Sequence, residues 1–406
     1  MKAIYPLRFS SFLLLCIALV GIIGCQQQVD PKWQKLDDAI HTGVDAEEIP
    51  GAVLLIAKNG EVIMHRAYGQ ADPIAQKEMT PSTLFRICSQ SKAITSTAAM
   101  ICWEKGMLEL DDPVSKYLPE FASIGILDSL YADSTFSSIP TTTVLTVRHL
   151  MTHTSGIPYG EIGDPRFEKL YRKYDVVDLF PRDERTTHEN AQKLGQLALA
   201  HDPGSKWTYS LGLDVLVAVI EVASGQSYSE FVTGELLNPL GMDDTHFIVP
   251  PSDRNRLANV VEPGQGSETW QLHLHQNYSV DYPVHDEWPL CSGGAGLTST
   301  AADYATFLQM YLDLGKYEGG RILQESTIDS IMSDQAPGLL ADHWRQGLAF
   351  GVKNRAQGGG RFFWSGYFNT QYYADPNTQE LVVLMKQTFG LPSDTSSAAF
   401  NELLWN

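Results

Sequence analysis

Apolar and polar residues follow a strand-like spacing near both ends of this chain and a helix-like spacing between them. Residues 51–58 and 62–68 are apolar, β-rich runs joined by Asn59-Gly60, a pair typical of a tight hairpin. The same signal recurs near the other end, in the segments 347–353, 361–365, 369–374 and 381–385. We therefore predict strands at both ends of the chain, flanked by an N-terminal helix over residues 31–46 and a final helix over 396–404.

From about residue 80 to 340, helical patterns and irregular loops dominate, and no fixed-period repeat divides the chain. Strands at both ends with helices between them predict an α/β (α+β) fold, in which an antiparallel sheet is built from N- and C-terminal segments and a mainly helical lobe is inserted. The expected boundaries are a linker and N-terminal helix over 25–45 and one two-lobed unit over 46–395, with a sheet lobe at about 46–80 and 341–406 and a helical lobe at about 81–340.

The first 24 residues have the composition of an export signal. Lys2 and Arg8 precede an uncharged run over residues 12–23, which is too short to span a bilayer but fits the apolar core of a signal peptide. The small residue Gly24 directly before Cys25 resembles a bacterial lipobox, which implies cleavage before Cys25 and attachment of lipid to its sulfur. The alternative is an ordinary cleaved signal with an incidental cysteine. We expect an exported lipoprotein anchored at Cys25, on the periplasmic or cell-surface face of a membrane.

The chain is strongly acidic, with 29 Lys and Arg residues against 48 Asp and Glu and a net charge of −19. This balance argues against nucleic acid as a partner, because phosphate binding needs clustered Lys and Arg. It also disfavours adsorption to anionic lipid, which leaves the acyl anchor as the predicted membrane contact.

The candidate chemistry begins at Ser89-Gln90-Ser91-Lys92. Residues three apart are neighbours on a helix surface, so a nucleophile and a cation share one face if a helix starts here. The first N–H groups of a helix lack intrahelical partners, which leaves the Ser89 amide available to an oxyanion. Ile94 and Ala98 continue an apolar stripe on the predicted helix, which ends at Gly106.

The segment 84–96 resembles the active-site segment of the serine β-lactamase and penicillin-binding-protein superfamily, and most closely the class C β-lactamase branch and the carboxylesterases that share its fold. The resemblance implies a β-lactamase/transpeptidase-like fold from about residue 45 to 390. It also implies that Tyr209, on a predicted loop before an amphipathic helix, occupies the position of the family's general base. No cofactor is expected.

The base could be Tyr209 or a neutral Lys92. Ionising a tyrosine at pH 7 costs about 4.1 kcal/mol and deprotonating a lysine about 4.6 kcal/mol, so the two are nearly balanced. We favour Tyr209 as base with Lys92 as its electrostatic partner, and the assignment stays open at this point.

A third segment, residues 363–367, resembles the family's Lys-Thr-Gly strand. By that match the backbone N–H of Tyr367 joins that of Ser89 as an oxyanion donor, and Leu211, Trp364, Ser365 and Gly366 contact the substrate.

Two departures from the family pattern bear on the substrate. Leu211 replaces an asparagine, and Trp364 replaces the cation that pairs with the carboxylate of β-lactams, although Arg361 or Lys353 could supply one. We therefore predict a covalent acyl-enzyme mechanism on small carboxylic esters, ahead of β-lactamase or D-Ala-D-Ala carboxypeptidase activity. A non-hydrolytic ligand-binding or scaffolding lipoprotein of the same fold is the rival from another class.

Histidines elsewhere are predicted to be structural. His153 lies in a segment resembling the family's His-Thr-Ser-Gly turn and is expected to order a loop. His273 and His275 alternate on a strand-like run, but without a nearby third ligand no metal site is predicted.

Overall fold

The computed structural model describes residues 30–266, 269–340, 343–353 and 360–406. The predicted signal segment and Cys25 lie outside the described residues. Within the described ranges, no helix is both long and apolar enough to cross a bilayer.

An eight-stranded antiparallel sheet joins the two ends of the chain, in the order β13-β14-β15-β16-β17-β1-β2-β3. Its central pairing places Val53 opposite Met385 and Leu55 opposite Val383. The sheet strands are β1 (Gly51–Lys58), β2 (Glu61–Asp72), β3 (Lys77–Glu78), β13 (Trp344–Gln346), β14 (Gly351–Lys353), β15 (Phe362–Ser365), β16 (Gln371–Asp375) and β17 (Glu380–Met385).

Short strands in the intervening region form four small sheets, which the sequence pattern did not predict. They are β4 (Phe85–Arg86), β5 (Gly125–Leu130), β6 (Phe136–Pro140), β7 (Ala198–Leu199), β8 (Val261–Pro263), β9 (Trp270–Leu272), β10 (Thr298–Ser299), β11 (Lys316–Tyr317) and β12 (Gly320–Arg321).

Eleven α-helices lie in the described part of the chain. They are α1 (Pro31–Asp45), α2 (Ser91–Glu104), α3 (Val147–Met151), α4 (Pro165–Tyr174), α5 (Thr187–Gly195), α6 (Gly212–Ser224), α7 (Tyr228–Val232), α8 (Asn238–Leu240), α9 (Ala301–Leu312), α10 (Glu325–Met332) and α11 (Thr395–Trp405). The predicted terminal helices at 31–46 and 396–404 therefore match α1 and α11 closely.

The sheet separates two hydrophobic cores, because successive side chains of a strand point to opposite faces. Leu54 and Ile56 of β1 pack with α1 and α11 in the smaller core. Val53 and Leu55 face the larger core, which also contains α2, α6 and α9. Helix α2 is buried from Ser91 to Cys102. It is therefore buried on all sides, and not only along the predicted apolar stripe, because it lies inside the larger core.

The predicted strand over 347–353 is shorter than expected. The Gly347 N–H donates to the Phe350 carbonyl at 2.8 Å, and Ala349 adopts a φ of +64°. Together these form a turn, so the strand begins only at Gly351.

Candidate active site

Ser89 lies in a short helical turn, Cys88–Gln90, between β4 and α2. Cys88 has a φ of +47°, a left-handed conformation that is uncommon for a residue with a side chain. The regular helix therefore begins at Ser91, two residues later than the motif suggested. The Ser89 N–H remains in the first turn, where backbone donors have no intrahelical acceptor.

Lys92 is fully buried and directs its ammonium group at three oxygen acceptors. Its Nζ lies 3.3 Å from Ser89 Oγ, 3.0 Å from the Tyr159 hydroxyl and 2.7 Å from the Gly294 carbonyl oxygen. An ammonium group has three N–H donors, so these acceptors match it one for one.

Tyr209 lies on the loop before α6, with its ring centroid 4.6 Å from Lys92 Nζ. His153 holds this loop in place. The Thr208 N–H donates to the His153 carbonyl at 2.8 Å, and the Ser210 N–H and hydroxyl lie 3.3 and 3.0 Å from His153 Nδ1. This is the loop-ordering position expected for His153. Burial, reinforced by the charge of Lys92, lowers the pKa of the imidazole well below its usual range.

Four half-buried aromatic side chains adjoin this cluster, and we call them the aromatic wall: Trp207, Tyr209, Trp344 and Trp364. The Trp364 ring centroid lies 6.1 Å from that of Tyr209 and 6.1 Å from that of Trp344. Trp207 packs edge-to-face on Trp344 at 5.8 Å. Trp364 therefore stands beside Tyr209.

The Gly366 backbone passes directly against the turn that carries Ser89. A Cβ at Gly366 would lie 2.5 Å from the Ile87 carbonyl oxygen and 2.2 Å from Thr370 Oγ1, so only glycine fits there.

Burial raises the pKa of the Cys88 thiol to about 12, against the opposing effect of the Phe368 and Tyr367 backbone N–H groups. The Tyr367 N–H thus lies beside the residue that precedes Ser89.

Tyr159 and Asp214 complete the surroundings of Lys92. A Cβ at Gly294 would lie 2.6 Å from both Asp214 Oδ2 and the Tyr159 hydroxyl and 3.3 Å from Lys92 Nζ, so the three groups converge there. Asp214 Oδ1 accepts a hydrogen bond from Ser292 Oγ at 2.6 Å. Burial, reinforced by the charge of Asp214, raises the pKa of Tyr159 well above its usual range, which keeps it a neutral phenol.

Neither Tyr159 nor Asp214 was predicted from the sequence as a member of the site. The sequence does contain an indication for Asp214, because it is the only charged residue in the buried part of α6 and a lone charge in an apolar helix indicates a specific role. Tyr159 carried none, since it follows an irregular turn in a region with many aromatics.

A family model described as Beta-lactamase matches residues 36–404. This chain belongs to the β-lactamase family. The match confirms the predicted superfamily and its hydrolase class.

The chain is similar to a curated esterase and to solved structures of a hydrolase and a penicillin-binding protein homologue. The chain is 29% identical over 377 residues to "Esterase EstB" of Burkholderia gladioli, covering 87% of this chain and 90% of that protein. It superposes on "EstCE1, a hydrolase with promiscuous acyltransferase activity" with a TM-score of 0.77 and 26% identity, over 92% of this chain and 98% of the other. A penicillin-binding protein homologue from Pyrococcus abyssi matches with a TM-score of 0.67 and 24% identity, over 92% and 77% of the two chains. The predicted fold is confirmed.

One predicted substrate contact of this β-lactamase-family protein, Leu211, is corrected by the structure. Leu211 is only 1% exposed and packs in the larger core, so it offers no surface to a substrate. The cause is its position as the residue before α6, where its N–H donates inward to the Ile157 carbonyl at 3.0 Å. Ser365 is exposed and Trp364 half-buried.

Neither proposed replacement cation reaches the cleft. Arg361 pairs with Asp375 at 3.1 Å and donates to the Leu404 carbonyl at 2.8 Å. Lys353 Nζ donates to the Trp405 carbonyl at 2.8 Å. Both side chains point to the sheet face that carries α11, because successive residues of a strand alternate between the two faces. Ser89 lies on the other face of the sheet.

Among the described residues, no cluster of His, Cys, Asp and Glu is arranged to hold a metal ion. His273 and His275 instead face separate carboxylates, Glu262 at 2.6 Å and Glu161 at 3.3 Å.

Proposed function

We propose that this protein hydrolyses small, uncharged carboxylic esters through a covalent acyl-enzyme on Ser89. The observation that carries the proposal is the buried Lys92 ammonium, which lies within 3.3 Å of Ser89 Oγ and 4.6 Å of the Tyr209 ring centroid. A serine hydroxyl needs a neighbouring base to become a nucleophile. Tyr209 is the phenol whose ring lies beside the Lys92 ammonium.

Tyr209 is the base in this proposal because its ring lies 4.6 Å from Lys92 Nζ. A charged Lys92 can donate to all three oxygens around Nζ and lowers the free energy of a Tyr209 phenolate beside it. A neutral Lys92 would instead donate to two oxygens and accept from the Ser89 hydroxyl, and the rates of Tyr209 and Lys92 variants distinguish the two arrangements. The neutral phenol of Tyr159 then serves as a hydrogen-bond partner that holds the ammonium in position.

The proposed reaction has two steps. Ser89 Oγ attacks the ester carbonyl carbon, Tyr209 takes the serine proton, and the N–H groups of Ser89 and Tyr367 stabilise the oxyanion. The proton then passes to the departing alcohol as the C–O bond breaks. Water attacks the acyl-serine with Tyr209 again accepting a proton, and the acid is released as Ser89 regains its hydrogen.

The surroundings of Ser89 support an uncharged substrate. Trp364 occupies the place of the family's cation, and the side chains of Arg361 and Lys353 are held on the other face of the sheet. Aromatic side chains offer area and weak polar contacts but no partner for a carboxylate. The naming of EstB and EstCE1 as an esterase and a hydrolase agrees with this choice of substrate.

Export and anchoring are part of the same proposal. The basic start of the chain, the uncharged run over 12–23 and the Gly24-Cys25 junction support a lipid anchor on Cys25. The enzyme would then act at the periplasmic or cell-surface face of a membrane.

Labelling with a fluorophosphonate probe tests the function directly. We expect the folded protein to be labelled at Ser89, and the variant Ser89→Ala to lose both labelling and hydrolysis of p-nitrophenyl butyrate. Ser96→Ala is the matched control, because Ser96 lies on α2 and donates a single hydrogen bond to the Leu348 carbonyl at 2.8 Å. Failure of the wild-type protein to label or to hydrolyse esters would favour the non-hydrolytic binder.

A further inference from the structure

Asp214, on α6, is a buried carboxyl group that the proposed reaction does not use. Its Oδ1 accepts a hydrogen bond from Ser292 Oγ at 2.6 Å and another from the Gly294 N–H at 3.4 Å. Its Oδ2 is enclosed and has no hydrogen-bond partner among the described residues. Burying a carboxyl group costs free energy unless donors satisfy it, so Ser292 and Gly294 are what hold Asp214 in this apolar helix.

Ser292 connects Asp214 to the peptide unit between Gly294 and Ala295. The Ala295 N–H donates to Ser292 Oγ at 3.0 Å, with a longer contact of 3.4 Å to the Ser292 carbonyl. A serine hydroxyl has a single proton, and Ser292 donates it to Asp214. The hydroxyl is therefore held in one orientation, in which its oxygen accepts from the Ala295 N–H.

The other end of the same peptide unit binds Lys92. The Gly294 carbonyl accepts from Lys92 Nζ at 2.7 Å, the shortest of the three hydrogen bonds around that nitrogen. A peptide unit is planar, so the Ala295 N–H and the Gly294 carbonyl turn together. Fixing the N–H at Ser292 therefore fixes the direction in which the carbonyl meets the ammonium group.

The preceding peptide unit is held at both ends as well. The Gly293 carbonyl accepts from Thr95 Oγ1, on α2, at 2.8 Å, and the Gly294 N–H faces Asp214 on α6. The loop is thus attached to two buried helices at successive peptide units. Asp214 contributes to both attachments, directly in the first and through Ser292 in the second.

The position of Lys92 depends on this carbonyl. If the Gly294 carbonyl turned away, the ammonium group would lose its shortest hydrogen bond and would shift relative to Ser89 Oγ, at 3.3 Å, and to the Tyr209 ring. A displacement of about 1 Å in a catalytic group can lower the rate by about 10²-fold. Lys92 therefore needs a rigid acceptor on the side away from Ser89.

We propose that Asp214 and Ser292 are positioning residues that hold the Gly294 carbonyl on the Lys92 ammonium group and thereby keep Lys92 beside Ser89. This inference rests on the proposed function, because it takes Lys92 as the electrostatic partner of the base. The two residues act through the loop and not on the substrate, so their effect is expected in kcat and not in KM.

Three single variants test the connection: Asp214→Leu, Asp214→Asn and Ser292→Ala. The first and the last break it, and we expect kcat for p-nitrophenyl butyrate to fall by about 10–100-fold with KM little changed. Asp214→Asn keeps an oxygen acceptor for Ser292 Oγ, so its kcat at pH 7 should stay within about five-fold of wild type. The double variant Asp214→Leu/Ser292→Ala should be no slower than the slower single variant, because both changes break one connection.

The second-order rate of labelling by a fluorophosphonate reports the activation of Ser89 without an ester substrate, and it should fall in parallel with kcat. Asp37→Leu is the matched control. Asp37 is a buried carboxyl group on α1 that accepts from the Tyr68 hydroxyl and from Arg66, on the other face of the sheet. Its loss should lower the melting temperature but leave kcat and the labelling rate per titrated site within about two-fold of wild type.

Active-site titration separates the possible failures. Wild-type protein that labels at Ser89 and turns over esters upholds the proposed function whatever the variants do. The positioning role is wrong if Asp214→Leu and Ser292→Ala keep the wild-type kcat and labelling rate per titrated site, or if Asp214→Asn is as slow as Asp214→Leu. Should Asp214→Leu fail to fold, Ser292→Ala, which removes one hydroxyl, decides the question alone.

Discussion

Lys92 Nζ lies 4.6 Å from the centroid of the Tyr209 ring, so a cation and a phenol are in contact beside the predicted nucleophile. We expect Tyr209→Phe to lower kcat by about 10²–10⁴-fold, the usual contribution of a general base. Lys92→Met should cause a loss at least as large, because it removes the charge that favours the phenolate. Rates of p-nitrophenyl butyrate hydrolysis per folded molecule provide the measurement.

Lys105→Met is the control for that pair, because Lys105 follows the same helix and pairs with Glu235 at the surface, at 2.5 Å. It should leave the rate unchanged. Wild-type turnover in Tyr209→Phe combined with an inactive Lys92→Met would instead identify a neutral Lys92 as the base.

Gly366→Ala should abolish activity while leaving most of the fold intact. The new Cβ would lie 2.5 Å from the Ile87 carbonyl oxygen, so β15 and the Ser89 turn must separate. Gly234→Ala is the matched control, because a Cβ there meets nothing within 4 Å and the backbone is helical. The comparison of kcat and circular dichroism for the two variants checks the prediction, and an active Gly366→Ala enzyme would contradict it.

Trp364→Lys should shift substrate preference toward β-lactams. A charge-assisted hydrogen bond in a desolvated site is worth roughly 1.5–3 kcal/mol, or about 10–150-fold in the ratio of kcat/KM for nitrocefin to that for p-nitrophenyl butyrate. A D-Ala-D-Ala peptide should follow nitrocefin. Efficient nitrocefin hydrolysis by the wild-type enzyme would mean that another cation serves the cleft, and an unchanged ratio in the variant would place Trp364 away from the substrate carboxylate.

Asp178 should make stability depend on pH. Burial raises its pKa to about 8, against the opposing hydrogen bonds from the Glu161 and Gly160 N–H groups. The unfolded value is about 3.9, so between about pH 4 and about pH 8 the folded state holds a proton that the unfolded state has released. Stability should therefore fall as pH rises through this window.

Asp178→Asn tests this assignment, because it keeps an acceptor for the two N–H groups and cannot ionise. Its melting temperature should vary less between pH 5 and pH 8 than that of the wild type. Asp133→Asn, at an exposed turn, is the control and should follow the wild-type curve. Parallel curves for wild type and Asp178→Asn would show that another group causes the dependence.

Replacing Cys25 by Ser should move the protein from the detergent phase to the aqueous phase in a partitioning experiment. The reason is that lipid attached to Cys25 would bury apolar acyl chains in detergent, and the serine variant would lack them. Intact-mass analysis of the wild type should show the corresponding increase at the N-terminus, and an unmodified terminus would contradict the anchor.

Local patterns predicted the parts of this protein that local physics determines. Asn59 and Gly60 have φ values of +52° and +79°, the conformation that makes this pair a hairpin signal. The four C-terminal strands and both terminal helices were likewise placed within a few residues, except where Ala349 turns the chain early. Ser89 and Lys92 were identified because the motif lies within four residues.

The remainder depends on contacts between distant segments. Lys92 and Tyr159 are 67 residues apart and Lys92 and Gly294 are 202 apart, so no spacing rule joins them. Leu211 was misplaced because the sequence pattern did not show that its side chain turns into the core. The side chains of Arg361 and Lys353 point toward α11. The face of the sheet that α11 covers is set by the assembled sheet and could not be predicted from these segments alone.

The pairing of α1 with α11 on one face of the sheet has a consequence for how the enzyme would sit at a membrane. Helix α1 begins at Pro31, and each of the five residue steps from Cys25 to the Asp30 cap can span no more than about 3.6 Å. An acyl group on Cys25 would therefore hold the α1 end of the sheet within about 20 Å of the bilayer. The Ser89 turn belongs to the opposite face of the sheet from α1, so the tether would be attached on the side of the domain away from the cleft.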